Sequence, residues 1–249
     1  GYGQKEISYD EVLAWIHTYG DVLKPYICDA FALLENAHAA GKDIMFEAQL
    51  GALRDIDYGI YPYTSSSNPI SAYAPVGCGC PMLKLDEVVG VTKAYSTCVG
   101  EGPFVGELDG DSAHDLREAG AEYGAATGRP RRVAWFDIPA TKYGTKLQAA
   151  TALALTKMDV LSYLDEIPVC VGYKLNGQVS DRFPYTADLD ACEPVYEVLP
   201  GWKCDISGAR KWEELPEAAR KYVLFIEERV GCPIKYVSVG AERDALIIR

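Results

Sequence analysis

The chain has 249 residues, 49% hydrophobic and 24% charged, which excludes a mainly disordered polypeptide and suffices for one large domain or two small ones. Lys plus Arg number 24 against 36 Asp plus Glu, a net charge of −12, so repulsion from polyphosphate excludes a broad nucleic-acid-binding face. The eight cysteines show no zinc-type spacing and read as reduced thiols, mostly core hydrophobes of a cytoplasmic protein, and no apolar run approaches the ~18 residues of a membrane span.

The chain opens at Gly1 rather than Met and carries no cleavable signal, so a fragment or processed product is expected. Helical signals come first, around Ser8 to His17 and from Asp21 to Ala40, the second with Ile27, Phe31, Leu34 and Ala37 at helical spacing and a stop at Gly41. Further helices are expected at Ser112 to Glu122, near Pro139 to Ala150, and at Leu215 to Val230, where Pro216 starts and Gly231 stops the run. Short apolar strands are expected at Asp43 to Glu47, Val88 to Ala94, Arg132 to Phe136, Ala152 to Leu155, Pro168 to Tyr173 and Ile234 to Val239. Apolar strands alternating with helices predict a single α/β domain over 1–249, with a largely parallel sheet flanked by helices. An antiparallel hairpin excursion near 168–185 follows from alternation that leads into Asn176-Gly177. Asp55 to Leu83, rich in Tyr, Ser, Pro and Gly, fits neither template and reads as an ordered loop.

Three stretches could carry chemistry. Gly124 to Arg132 (GAATGRPRR) joins small residues, which allow close backbone approach, to arginine forks that match carboxylate and phosphate oxygens. The plainer alternative is a flexible surface loop. Thr156 to Asp159 (TKMD) follows a strand end, where α/β sheets bind ligands. An Asp there accepts two N–H bonds from guanine and rejects adenine, with the Lys stem along the base; a helix cap at Asp159 with Lys157 in solvent is the alternative. Ser238-Val239-Gly240 forms another strand-end turn. The histidines His17, His38 and His114 are too far apart for a local metal site and read as structural.

Taken together, these segments resemble the adenylosuccinate synthetase family. The resemblance rests on TYGDVLKPYICD (Thr18 to Asp29), DIDYGIYPYTSSSN (Asp55 to Asn68), VTKAYSTCVGEGPF (Val91 to Phe104), EYGAATGRPRRVAWFD (Glu122 to Asp137), LTKMDVL (Leu155 to Leu161), YEVLPGWK (Tyr196 to Lys203) and SVGAERD (Ser238 to Asp244). It implies a phosphate-loop-NTPase-like fold, here incomplete, because nothing matches the family's opening strand and phosphate loop. That missing region would bear the catalytic Asp and His and the Mg2+ ligands, leaving no catalytic residue and no metal ligand in this chain. The implied activity joins IMP and L-aspartate at the expense of GTP, in purine biosynthesis, by a cytoplasmic homodimer with no nucleic-acid or membrane partner.

The resemblance also implies residue roles. GTP would be held by Arg131, Lys157, Met158, Asp159, Ser238, Val239 and Gly240. Aspartate would meet the mobile loop Ala125, Ala126, Thr127, Gly128, Arg129, Pro130 and Arg131. IMP would meet Gln49, Ser65, Val99 and Arg129. Three departures from the family pattern stand out: FEAQLG at Phe46 to Gly51 in place of FEGAQG, which puts Leu50 where the IMP-contacting Gln belongs, Ala126 for a Thr, and Ala241 for a Pro. The competing readings are a non-catalytic guanine-nucleotide-binding protein of the same fold and a purely structural subunit. The chain alone is expected to lack ligase activity.

Overall fold

The computed structural model describes Gly3 and residues 5–249. The backbone groups into two compact units, residues 1–46 with 75–84 and residues 47–74 with 85–249. In the first unit, α1 (Tyr9–Leu23) starts at Ser8, whose Oγ accepts from Glu11 N while Glu11 accepts from Ser8 N at 2.8 Å. The helix predicted over Asp21 to Ala40 is not continuous. Pro25 lies in a 3-10 turn (Lys24–Tyr26), and a new helix, α2 (Ala30–Ala39), begins only where Asp29 caps Ala32 N. A short helix, α3 (Tyr73–Gly77), lies within the stretch Asp55 to Leu83 that the sequence reads as a loop. The strand predicted over Asp43 to Glu47 is absent, since no described strand pairs with this run.

The second unit is built on three sheets. The first orders β1 (Val89–Lys93), β5 (Ala152–Thr156), β9 (Ile234–Ser238) and β10 (Leu246–Ile248), with β1–β5 and β5–β9 parallel and β10 antiparallel. The second pairs β2 (Ser96–Cys98) with β3 (Arg132–Ala134), antiparallel. In the third, β6 (Glu166–Leu175) lies parallel to β4 (Phe136–Asp137) and antiparallel to β7 (Gln178–Ser180) and β8 (Glu193–Pro200). The predicted hairpin is β6–β7, and its turn places Asn176 at φ 51° and Gly177 at φ 80°, the left-handed pair that this dipeptide favours. The single strand predicted over Arg132 to Phe136 divides at Trp135 between two sheets.

Four helices complete the unit: α4 (Gly110–Gly120), α5 (Ile138–Leu147), α6 (Thr186–Leu189) and α7 (Glu217–Val230). α5 starts at Asp137, whose Oδ1 accepts from Ala140 N at 2.9 Å, and α7 ends at Gly231 with φ 76°. The main core joins Leu153, Leu155, Ile234 and Val237 of the first sheet to Tyr222 and Ile226 of α7, with Phe136 and Val169 from the third. Burying such side chains supplies about 1.5–3 kcal/mol each and fixes the strand ends that carry the site. All eight cysteines are free thiols, but only Cys80, Cys170 and Cys232 are buried; Cys28, Cys78 and Cys204 are exposed, which corrects the expectation of mostly core cysteines. No helix among the described residues is long and apolar enough to cross a membrane.

Candidate functional site

Two strand-end turns lie side by side in the second unit. After β5, Lys157 adopts a left-handed backbone, φ 61°, and Met158 N then donates to Ser238 O at the end of β9, at 3.2 Å. Ser238 Oγ donates to Gly240 O at 2.9 Å, and Met158 and Val239 are fully buried. Asp159 opens a 3-10 turn (Asp159–Tyr163) without any side-chain cap bond, so the helix-cap alternative does not hold. Its Oδ1 is buried and meets no donor among the described residues. An unpaired buried carboxylate oxygen carries a desolvation penalty of about 1–3 kcal/mol or more.

Lys157 is not free in solvent either. Its Nζ donates to Gly120 O at 2.6 Å and lies 3.2 Å from Glu122 Oε1. The Glu122 carboxylate is fully buried and gathers three further donors: Lys93 Nζ at 2.7 Å and Tyr95 OH at 2.6 Å on Oε1, and Arg131 Nη1 at 2.7 Å on Oε2. Burial pushes this carboxyl up, but the bonds from Lys93 and Tyr95, the Lys93 charge and the Arg131 bond outweigh it and hold the group at about 2. Burial lowers Lys93, opposed by Glu122 and assisted by the neighbouring charges of Lys157 and Arg131. Burial and the Glu122 bond raise Tyr95.

The predicted aspartate loop is a small hairpin on this hub. Gly124 N donates to Arg129 O and Gly128 N to Gly124 O, both at 2.8 Å, and Arg131 N donates to Glu122 O at 2.9 Å. Ala125, Ala126, Thr127, Gly128, Arg129 and Pro130 are exposed, whereas Arg131 is half-buried with its Nε unpaired among the described residues. The hairpin therefore presents its tip to solvent and anchors its base through Arg131.

Two of the predicted IMP residues, Val99 and Ser65, meet at a second centre, Arg54, whereas Gln49 is not hydrogen-bonded to it and Arg129 lies on the exposed hairpin. The Arg54 guanidinium donates to Val99 O and Cys98 Sγ, each at 2.8 Å, and to Tyr63 O, while Arg54 O accepts from Ser65 N at 2.8 Å. Ser65 Oγ shares a 2.9 Å bond with Ser67 Oγ. Gln49 lies exposed in irregular backbone next to Leu50, which takes φ 75°, so neither residue sits in a strand. The β2–β3 pair links the two centres, because Cys98 pairs with Arg132, and Arg132 Nη1 donates to Gly102 O at 2.8 Å. Sequence reasoning missed Glu122, Lys93, Tyr95 and Arg54. The one signal for Glu122 was its position two residues before the glycine-arginine loop.

Gly120 is required beside the hub. A Cβ there would collide with Tyr95 OH and lie 3.1 Å from Glu122 Cγ. Gly120→Ala is expected to lower stability in urea unfolding by about 1–3 kcal/mol, because Tyr95 is buried and has no room to retreat.

Comparison with known proteins identifies the family. A family model described as adenylosuccinate synthetase matches residues 2–247. The adenylosuccinate synthetase of Carboxydothermus hydrogenoformans is 46% identical over 248 residues, covering 99% of this chain and 58% of the relative. That of Trichlorobacter lovleyi is 44% identical, covering 97% and 56%. A solved structure described as fully ligated adenylosuccinate synthetase from Plasmodium falciparum superposes with a TM-score of 0.92 at 38% identity, covering 98% of this chain and 59% of that one. The chain thus spans somewhat more than half the length of the relatives it matches. With the family model running nearly end to end and the backbone following a solved member, the chain belongs to the adenylosuccinate synthetase family.

Proposed function

We propose that this chain is the nucleotide-binding larger part of an enzyme that ligates IMP and L-aspartate with GTP as energy donor, releasing GDP and phosphate. The observation that carries the reading is the buried Oδ1 of Asp159, without a partner among the described residues, beside Lys157 and the Ser238–Gly240 turn. Guanine offers N1–H and a 2-amino group to one carboxylate, whereas adenine offers a lone pair at N1 and leaves the Asp unpaired. Arg131 would reach both GTP and aspartate, Arg129 aspartate and IMP, and the tip Ala125 to Gly128 with Pro130 would close over aspartate. Ser65 and Val99, held by Arg54, and Gln49 would line the IMP side. The proposed protein works as a cytoplasmic homodimer on small molecules alone.

In the family chemistry, GTP phosphorylates the 6-oxygen of IMP and the aspartate amine then displaces phosphate. Such transfer depends on positioning and charge stabilisation, and here Arg129 and Arg131 supply positive charge. Among the described residues no group of three or more His, Cys, Asp or Glu is placed to hold a metal; Mg2+ takes only one or two carboxylates with substrate phosphates, and would supply charge neutralisation at the phosphates of GTP. In this proposal the ligands of Mg2+ and the catalytic base belong to a part of the enzyme outside these 249 residues.

Titration calorimetry of the 249-residue chain with GDP and ADP tests the base assignment, GDP being expected to bind at least tenfold tighter; equal affinities would overturn it. Incubation with IMP, GTP, L-aspartate and magnesium is expected to give no turnover. Measurable adenylosuccinate formation would show that the chemistry lies within these residues.

A further inference from the structure

We infer that Glu122 is a positioning residue, a single buried carboxylate that holds Lys157 on the base side and Arg131 on the anion side in register with each other. The inference rests on the guanine reading above. Glu122 is fully buried, so it reaches no ligand itself. Its two oxygens meet Lys93, Tyr95, Lys157 and Arg131, which come from β1, the turn after β1, the turn after β5 and the base of the glycine-arginine hairpin. Three positive charges face Glu122, and with Asp159 nearby as a second carboxylate a net positive charge remains. The surplus favours an anion arriving next to Arg131 and Lys157, in a chain that is otherwise acidic.

The backbone here is clamped by other bonds. Arg131 N donates to Glu122 O and Glu122 N to Arg117 O, both at 2.9 Å, and Arg117 Nε donates to Arg131 O at 3.0 Å. The carboxylate therefore organises the cationic side chains, while the hairpin keeps its path without it. A Gln at this position has nearly the same shape but no charge. If its carbonyl oxygen faces Lys93, Tyr95 and Lys157, its amide presents N–H to Arg131 Nη1, donor against donor. Lys157 and Arg131 then lose their common reference point.

The test is calorimetric GDP binding to the wild-type chain, Glu122→Gln and Glu122→Asp, with the thermal midpoint of each recorded. Glu122→Gln is expected to weaken GDP binding about tenfold at a temperature where it remains folded. Glu122→Asp, which restores the charge, is expected to recover most of that loss. Wild-type GDP binding with an unchanged Glu122→Gln affinity overturns the inference and leaves the guanine reading standing. Equal weakening in both variants, tracking a lowered midpoint, shows a merely structural role and also overturns it. If Glu122→Gln does not fold, Glu122→Asp decides: near-wild-type affinity supports the inference, and a loss as large as that of a Lys157→Ala chain overturns it. No GDP binding by the wild type overturns the guanine reading and the inference together.

Discussion

Asp159→Asn is expected to weaken GDP binding by about a hundredfold while leaving the fold as stable as before. The carboxylate offers two acceptors to two guanine donors. Asn offers one acceptor and sets an N–H against the remaining donor, so one bond is lost and one repulsion gained. At about 1–3 kcal/mol for each mismatched buried group, and tenfold per 1.4 kcal/mol, the sum is about two orders of magnitude. Asp159 Oδ1 has no hydrogen-bond partner among the described residues, so Asn at this position breaks no bond from that oxygen. Calorimetry with GDP and ADP, alongside thermal unfolding, reads both effects. An unchanged preference for GDP would sink the base assignment, and a large drop in the midpoint would give Asp159 a structural role instead.

The second large effect concerns acidity. Asp137 is buried at the head of α5, with Oδ2 accepting from Tyr173 OH at 2.5 Å and Oδ1 from Ala140 N. Burial raises its carboxyl from 3.8 to about 6, and the bonds from Tyr173 and Ala140 only partly oppose this. Between those values the folded protein holds a proton that the unfolded chain has lost. The associated stability is fully present below about 3.8 and disappears as pH rises through about 6. Glu122 has the opposite sign: its value falls from 4.5 to about 2, so its contribution is present above 4.5 and lost as pH drops towards 2. These two groups place a stability maximum between about pH 4 and 5. Asn at 137 mimics the protonated acid. Asp137→Asn is therefore expected to flatten the decline from pH 4 to 7 and to raise stability at about pH 7.5 by about 2–3 kcal/mol, because each tenfold change in proton affinity is worth about 1.36 kcal/mol. Urea unfolding across that range checks it; parallel wild-type and variant curves would refute the assignment.

Much of the second unit was legible because local and global signals agree there. The continuous apolar runs of β5 and β9, the Pro216 and Gly231 limits of α7 and the Asn176-Gly177 turn each act over a few residues. What failed depends on partners distant in sequence. Asp43 to Glu47 has the composition of a strand but nothing to pair with, whereas the three-residue strands β2 and β10 exist because β3 and β9 lie beside them. Charge was the least legible feature. One of 36 acidic residues, Glu122 is indistinguishable by type from a solvated surface Glu, and only the convergence of β1, β5 and the hairpin makes it a hub. Lys157 and Asp159 were found because a strand end gave their spacing a chemical meaning.

The split at Trp135 has a consequence for how this protein tolerates change. Arg131 stands before β3 and Asp137 closes β4, so a run of only seven residues ties the anion-gripping end to the buried head of α5 across two sheets. One inserted residue would turn every following side chain to the opposite face, sending Phe136 outward or Arg131 away from its carboxylate. Length changes are excluded from this stretch, so engineering that lengthens or grafts segments belongs at the exposed Asn176-Gly177 turn between β6 and β7.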